Sequence, residues 1–415
     1  MVNLGIRAVT TGIPINELGD HLLKEKFSNY TAFFMDQFDN AGFSIRTQRI
    51  CLSPINHFAG WDPDTCHSII DTAQDLAETA KIRWICVPFD FTIPSVTPIH
   101  SNIPLHILKK YPNCFVNVMI AQDDKISISG AKAASVLVKN TSKLSLNGFD
   151  NFRLGIASNC KPNIPFFPYS YNGDQIGFSF AVETLLTAIE VAKQLDGFND
   201  LDQFRNNFKS IVKKDLEKIS KIGLSIENET GFEFKGVDIS FAPFPGESSI
   251  VDLFELLGLE QFGGRGTVFL TSILTDLLRE VLIETNIRAT GFNGVMFSLL
   301  EDAGLAKRNN QKMFDIDSMQ LFSTVCGCGL DMVPIPGSIL EDELTGILLD
   351  SAALSVNLKK PLGIRVLPIP QKDMNELTDF NYDFLVNTRV KEVKNAGINT
   401  HGISNELTYK HLRDL

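Results

Sequence analysis

A chain of 415 residues with 44% apolar and 21% charged positions can bury a large core, which excludes intrinsic disorder over most of its length. Its 38 basic and 49 acidic residues leave a formal net charge of −11, so no global field favours nucleic acid or an anionic membrane as partner. A small ligand or a basic partner suits that balance better.

From the N-terminus, a β-branched run at 4–10 is followed by a helical pattern at 18–40, a run at 44–53, a helix at 64–80 and a run at 83–88. The alternation continues with a helix at 102–111, the strand VNVMIA at 116–121, a helix from Gly130 to Leu146, a strand at 152–158 and a helix at 179–195. Alternation of this length predicts a mostly parallel sheet or barrel wrapped by helices. Near 199–225, Leu201, Phe204, Phe208, Ile211, Leu216 and Ile219 recur at helical spacing with Lys and Asp between them, the pattern of an amphipathic surface helix. The strand GFEFKGVDISFAP, helices at 249–258 and 267–285, a glycine-broken stretch at 290–300, a segment around Cys326, a helix at 341–357 and the strand GIRVLPIP complete the series. About ten strands result by this reading of periodicity. With no linker rich in Gly, Pro or Ser, residues 1–387 read as a single domain. Residues 388–415, with Lys391, Glu392, Lys394 and Asn395, read as a polar C-terminal helix or tail.

Seven cysteines without paired short spacing, apart from Cys326-Gly-Cys328, do not form a secreted disulfide framework, so a cytoplasmic protein is expected. The opening MVNLGIRAVTTGIPI has no leader pattern, and Asp276, Arg279 and Glu280 interrupt the longest apolar stretch, so neither a signal peptide nor a membrane span is expected.

Three segments combine glycine, polar side chains and an element boundary. In FGGRGTV, Gly263, Gly264 and Gly266 precede an apolar helix, so its first amides, with Arg265 and Thr267, have the makings of an anion site; a tight loop before an ordinary capped helix is the alternative. In TVCGCGLDMVPIPG, two thiols stand on either side of Gly327, and Gly327 with Gly329 leaves Cys326 accessible near Asp331, or else both thiols are small buried residues beside a crowded turn. Glu301 and Asp302 close an apolar run, and with Asp331 they could hold a divalent cation or act as general acid and base; a helix-terminal or solvated pair is the plainer reading. The seven histidines, His21, His57, His67, His100, His106, His401 and His411, all lie outside these segments, and His57 is the best placed of them.

In order along the chain, IRAVTTGI, QRICLSPI, CFVNVMIAQDDKISISGAKAA, LGIASNCKPNIPFF, VDISFAPFPGESSIVDLFELLGLEQFGGRGTV, GFNGVMFSLLEDAGLA, TVCGCGLDMVPIPG and GILLDSAALSVNLKKPLGIRVLPIP resemble the PFL-like prokaryotic family known as domain of unknown function 711. The resemblance implies a ten-stranded α/β barrel like that of pyruvate formate-lyase and other glycyl radical enzymes, with a loop entering its interior. It implies catalytic positions at Cys326, Asp331 and Glu301, while Arg49, Asn117 and Asn159 in the matching blocks join the Gly263–Thr267 loop as ligand-binding positions. Cys328 looks specific to this sequence and is given no essential role. The C-terminal THGISNELTYKHLRDL lacks an Arg-Val-x-Gly-Tyr-like motif, so glycyl radical chemistry is not implied. The expected function is binding, with or without conversion, of a small anionic metabolite, with a non-catalytic barrel as the alternative. With 31 phenylalanines available for an apolar subunit contact, a homo-oligomer is expected.

Overall fold

The computed structural model describes residues 4–195, 200–394, 396–400 and 402–410. Asn199, Asn395, His401 and His411, which figure in the expectations above, lie outside them. The strands are β1 (Gly5–Ile13), β2 (Gln48–Leu52), β3 (Trp84–Asp90), β4 (Cys114–Gln122), β5 (Lys125–Ser127), β6 (Leu154–Ser158), β7 (Gly177–Glu183), β8 (Glu233–Asp238), β9 (Gly329–Pro336), β10 (Leu362–Ile369) and β11 (Glu406–Thr408). They form one mixed sheet in the order β8-β7-β1-β2-β3-β4-β6-β10-β9, with β5 and β11 appended to β4.

The sheet consists of parallel blocks joined antiparallel. Strands β1, β2, β3, β4 and β6 run parallel to one another. The pairs β7/β8 and β9/β10 are also parallel, and they meet the first block antiparallel at β1/β7 and β6/β10. The expected ten-stranded barrel is not present as a continuous ladder, because β8 and β9 end the sheet. Between them runs the stretch 289–298, which touches both by single parallel bridges, Val237–Ala289, Phe241–Val295 and Ser298–Asp331.

The sequence of that stretch explains why it makes bridges instead of a strand. Gly291 has φ +89°, and a Cβ there would lie 2.1 Å from Asp238 Oδ2. The buried Asp238 carboxylate instead accepts the amides of Phe292 (2.7 Å) and Asn293 (3.3 Å), replacing ladder bonds with side-chain ones. Farther on, Gly294 and Gly327 let two backbones meet, since a Cβ on Gly294 would lie 2.7 Å from Gly327 Cα. Gly327 therefore serves a backbone contact.

Helices cover the outside. The amphipathic segment is a single helix, Leu201–Thr230, that begins at an Asp200 cap and buries Phe204, Phe208, Val212, Leu216 and Ile219. Each such side chain contributes about 1.5–3 kcal/mol of burial. Ion pairs from Arg205 to Glu280 (2.5 Å) and Lys209 to Glu284 (2.8 Å) fasten it to the helix Thr267–Thr285. The expected helix at 179–195 is corrected: it opens as β7, and helix begins only at Leu185. GFSFAVE is buried almost throughout, and an unbroken apolar run does not distinguish a two-faced buried strand from a helix.

Of the polar helix or tail expected from residue 388, the described residues contain no helix. Thr388, Val390 and Lys391 are buried, and the Lys391 amide donates to Pro334 O at 2.8 Å. The segment is held to the body through β11 on β5. Among the described residues no helix is long and apolar enough to cross a membrane.

Candidate functional site

Residues 159–173, between β6 and β7, form a long segment packed against the sheet. Ile164, Tyr169, Ser170 and Asn172 in it are almost fully buried. Backbone contacts fix its path: Thr10 Oγ1 donates to Pro165 O (2.8 Å), the Asn172 amide to Leu52 O (2.8 Å) and Ser53 Oγ to Gly173 O (2.9 Å). Beside this loop lies a cavity of about 90 Å³, room for several waters or a ligand of a few heavy atoms. Phe115, Phe166, Phe167, Phe292 and Met296 supply its apolar wall.

The polar lining is built on the strands. Arg365 on β10 donates to Asp331 through Nε–Oδ1 (2.7 Å) and Nη2–Oδ2 (2.8 Å), a forked pair, and through Nη2 to Glu301 Oε2 (2.8 Å). Tyr169 donates its hydroxyl proton to Asp331 Oδ1 (2.9 Å), and Ser298 donates to Glu301 Oε2 (2.5 Å). Burial lowers the Arg365 pKa, but Asp331 and Glu301 outweigh it and hold the group well above its ordinary value. Burial, then the charge of Asp331, drives the Tyr169 pKa well up, so the phenol keeps its proton.

Arg7 and Arg49 are placed differently. Arg7 sits where the β1/β7 register shifts, a bulge that re-aims its side chain, and donates to Pro243 O at 2.9 Å. Arg49 on β2 donates from Nε to Thr47 Oγ1 at 3.0 Å and lies 5.1 Å from the Phe167 ring centre. Among the described residues neither guanidinium has a carboxylate within ion-pair distance, 4.0 Å. Burial lowers both pKa values, that of Arg49 to about 10, and the charge of Arg7 lowers that of Arg49 further. Both remain cationic at neutral pH, so the cavity presents two half-buried positive charges that feel Glu301 but form no ion pair.

Of the sequence-predicted site residues, Glu301, Asp331 and Arg49 line the cavity. Asp302 turns away. Its buried carboxylate accepts from Ser249 Oγ (2.6 Å) and the amides of Ile250 (2.8 Å) and Leu305 (3.1 Å), capping the helix Ala303–Asn310 and anchoring the start of Ile250–Leu256. The proposed cation set is therefore split, and among the described residues no group of three His, Cys, Asp or Glu could hold a metal. The Gly263–Thr267 loop lies away from the cavity with Arg265 exposed. Thr267 Oγ1 accepts from the Gly263 amide (3.1 Å) and donates to Gly264 O (2.8 Å), the ordinary closed loop. Asn117, fully buried on β4, donates to Ser170 O at 3.4 Å and supports the loop 159–173. Asn159 takes φ +50° beyond β6 and bonds Asp123 O at 3.2 Å, also outside the cavity.

The expectation that Cys326 is an open thiol needs correction. All seven cysteines are buried, and Cys326 closes the turn after the helix Ile316–Ser323 inside the outer apolar core, its sulfur accepting from the Gly329 amide at 3.3 Å. Cys328 is the thiol that lines the cavity. Its hydrogen bond with Cys326, then burial and Asp331, push its pKa well up, so it faces the cavity protonated.

Reading residue types alone passed over Arg7, Arg365, Tyr169 and Ser298. Two of them carried a usable signal: GIRAVTTGI and LGIRVLPI each hold one arginine in an otherwise buried strand, and a buried cation calls for a partner or a ligand.

Fold and site define a mixed α/β protein with an arginine-lined interior cavity. The chain belongs to the family described as Uncharacterised ACR (DUF711), whose model matches residues 1–386. It is similar to a UPF0210 protein of Clostridium perfringens, 24% identical over 410 residues that cover 91% of this chain and 88% of the relative. A UPF0210 protein of Actinobacillus pleuropneumoniae is 23% identical over 401 residues, covering 91% and 88%. One from Pyrobaculum arsenaticum is 30% identical over 232 residues, covering 55% of this chain and 51% of the relative.

Proposed function

We propose that this protein binds a small anionic metabolite in its interior cavity, with Arg7 and Arg49 holding the anion. The observation that carries the reading is the pair of half-buried, cavity-lining guanidiniums without a carboxylate in ion-pair distance among the described residues. Two desolvated cations side by side cost stability that an anionic ligand would offset through charge-assisted hydrogen bonds. The enclosure is read as a pyruvate formate-lyase-like barrel in which the stretch 289–298 stands in for a tenth strand, supported by its bridges to both sheet ends. For conversion of the ligand, Asp331 and Tyr169 are the acid–base candidates and Cys328, in place of Cys326, the cavity thiol. Binding without turnover is the second reading, and Arg365 favours it by engaging both lining carboxylates.

Calorimetric titration with acetate, propionate, succinate and phosphate tests this. At least one should bind, and Arg49→Met should weaken it at least about tenfold, the loss of one charge-assisted contact. Absence of heat for every anion, or equal affinity in Arg49→Met and Arg7→Met, would reject the anion site.

A further inference from the structure

Each hydrogen in the Arg365 cluster has a direction. Tyr169 gives its only hydroxyl proton to Asp331, and Ser298 gives its only one to Glu301 Oε2. Both oxygens are left with lone pairs alone. Glu301 Oε1 makes no hydrogen bond among the described residues, since Arg365 and Ser298 both use Oε2. Tyr169, Ser298 and Glu301 all line the cavity. The cavity lining therefore combines acceptors, with the negative charge of Glu301, and the cationic donors of Arg7 and Arg49. Glu301 is the strongest favourable charge acting on Arg7, yet no ion pair closes between them within 4.0 Å. Both line the cavity.

We infer that the ligand is a small α-amino acid, its carboxylate on Arg7 and Arg49 and its ammonium on Glu301 Oε1, Ser298 Oγ and Tyr169 Oη. The inference rests on the anion reading above and deepens it. A plain carboxylate or phosphate satisfies the arginines and leaves the acceptors unmatched, whereas an ammonium brings three donors and a positive charge to them. A dianion would set its second charge against Glu301. About 90 Å³ and a wall that includes Phe167, Phe292 and Met296 limit the side chain to a short apolar one.

The probes are L-alanine, propionate and ethylamine, titrated calorimetrically into the full chain at neutral pH. L-Alanine should bind at least about tenfold tighter than propionate, and ethylamine not measurably, as expected for one added charge-assisted contact. Glu301→Gln, which can keep an oxygen on Arg365, should cost L-alanine about tenfold without weakening propionate, since a negative charge near the arginines is removed; Ser298→Ala should weaken L-alanine less. Propionate binding as tightly as L-alanine, or an L-alanine affinity indifferent to Glu301→Gln in a variant shown to be folded by circular dichroism, overturns the amino-acid inference while the anion site stands. Failure of L-alanine and propionate alongside binding of phosphate or succinate has the same meaning. Failure of every anion removes both readings.

Discussion

Glu301 and Asp302 are neighbours in sequence with opposite surroundings. Glu301 meets a guanidinium, a hydroxyl and open cavity, while Asp302 meets a hydroxyl and backbone amides and no open space. Burial raises the Asp302 pKa to about 6 against the pull of those donors. Asp238, which secures the stretch 289–298, is of the same kind, with burial raising its pKa against hydrogen bonds from Ser240 and the amides that follow. Amide-bonded carboxylates build the enclosure, and guanidinium-bonded ones equip it. The distinguishing mark is whether any lone pair remains free to meet a ligand.

Arg365→Met would challenge that distinction most severely. It strands two buried carboxylates, so we expect roughly 3–5 kcal/mol of destabilisation by urea unfolding, together with loss of ligand binding. A fall in binding with stability intact would show that the cluster is not buried in the way its partners require.

Asp302→Ala should cost about 3 kcal/mol, since three hydrogen bonds to a charged group are lost and two helix starts are freed. Ligand affinity measured below the unfolding transition should stay at the wild-type value. A change in affinity would place Asp302 with the site and erase the contrast with Glu301.

Arg49→Met should behave in the opposite way, weakening the ligand while raising the stability of the free protein by about 1 kcal/mol, because a half-buried cation without an ion pair, repelled by Arg7, is removed. Thermal unfolding with and without ligand would show the two effects separately. Destabilisation of the free protein would mean that the guanidinium is structural.

Lys391 offers a third kind of buried charge. It donates to Phe314 O, lies 3.8 Å from the Phe314 ring centre, and burial lowers its pKa to about 7. Between about pH 7 and 10.5 the unfolded chain therefore holds a proton that the folded chain does not, and stability should rise with pH across that window, with the full penalty remaining below it. Lys391→Met should flatten this slope and gain roughly 1 kcal/mol at neutral pH, read from urea midpoints at several pH values. A slope unchanged in the variant would assign it to another group.

The helices at 64–80, 267–285 and 341–357 are legible in sequence within a residue or so, because apolar spacing and local caps are properties of short stretches. The loop 159–173 is not, since PNIPFFPYSYNG has neither helical nor strand period and is shaped by bonds to β1 and β2 more than a hundred residues away. Glu301, Asp331 and Arg49 were visible as charges at the ends of apolar runs or within them, but nothing local separates Glu301 from Asp302.

Composition, periodicity and motif order thus determined a globular α/β chain of this family, since those signals act over a few residues or survive as blocks. Tertiary structure alone decided which thiol lines the cavity, which carboxylate caps a helix and which arginines form no ion pair. Each of those depends on what the fold brings from elsewhere: Gly294 against Gly327, Arg365 across from Asp331, and no carboxylate beside Arg7 or Arg49 among the described residues. Hydrogen bonding and desolvation are set by neighbours in space, and the cavity exists only where those neighbours leave room.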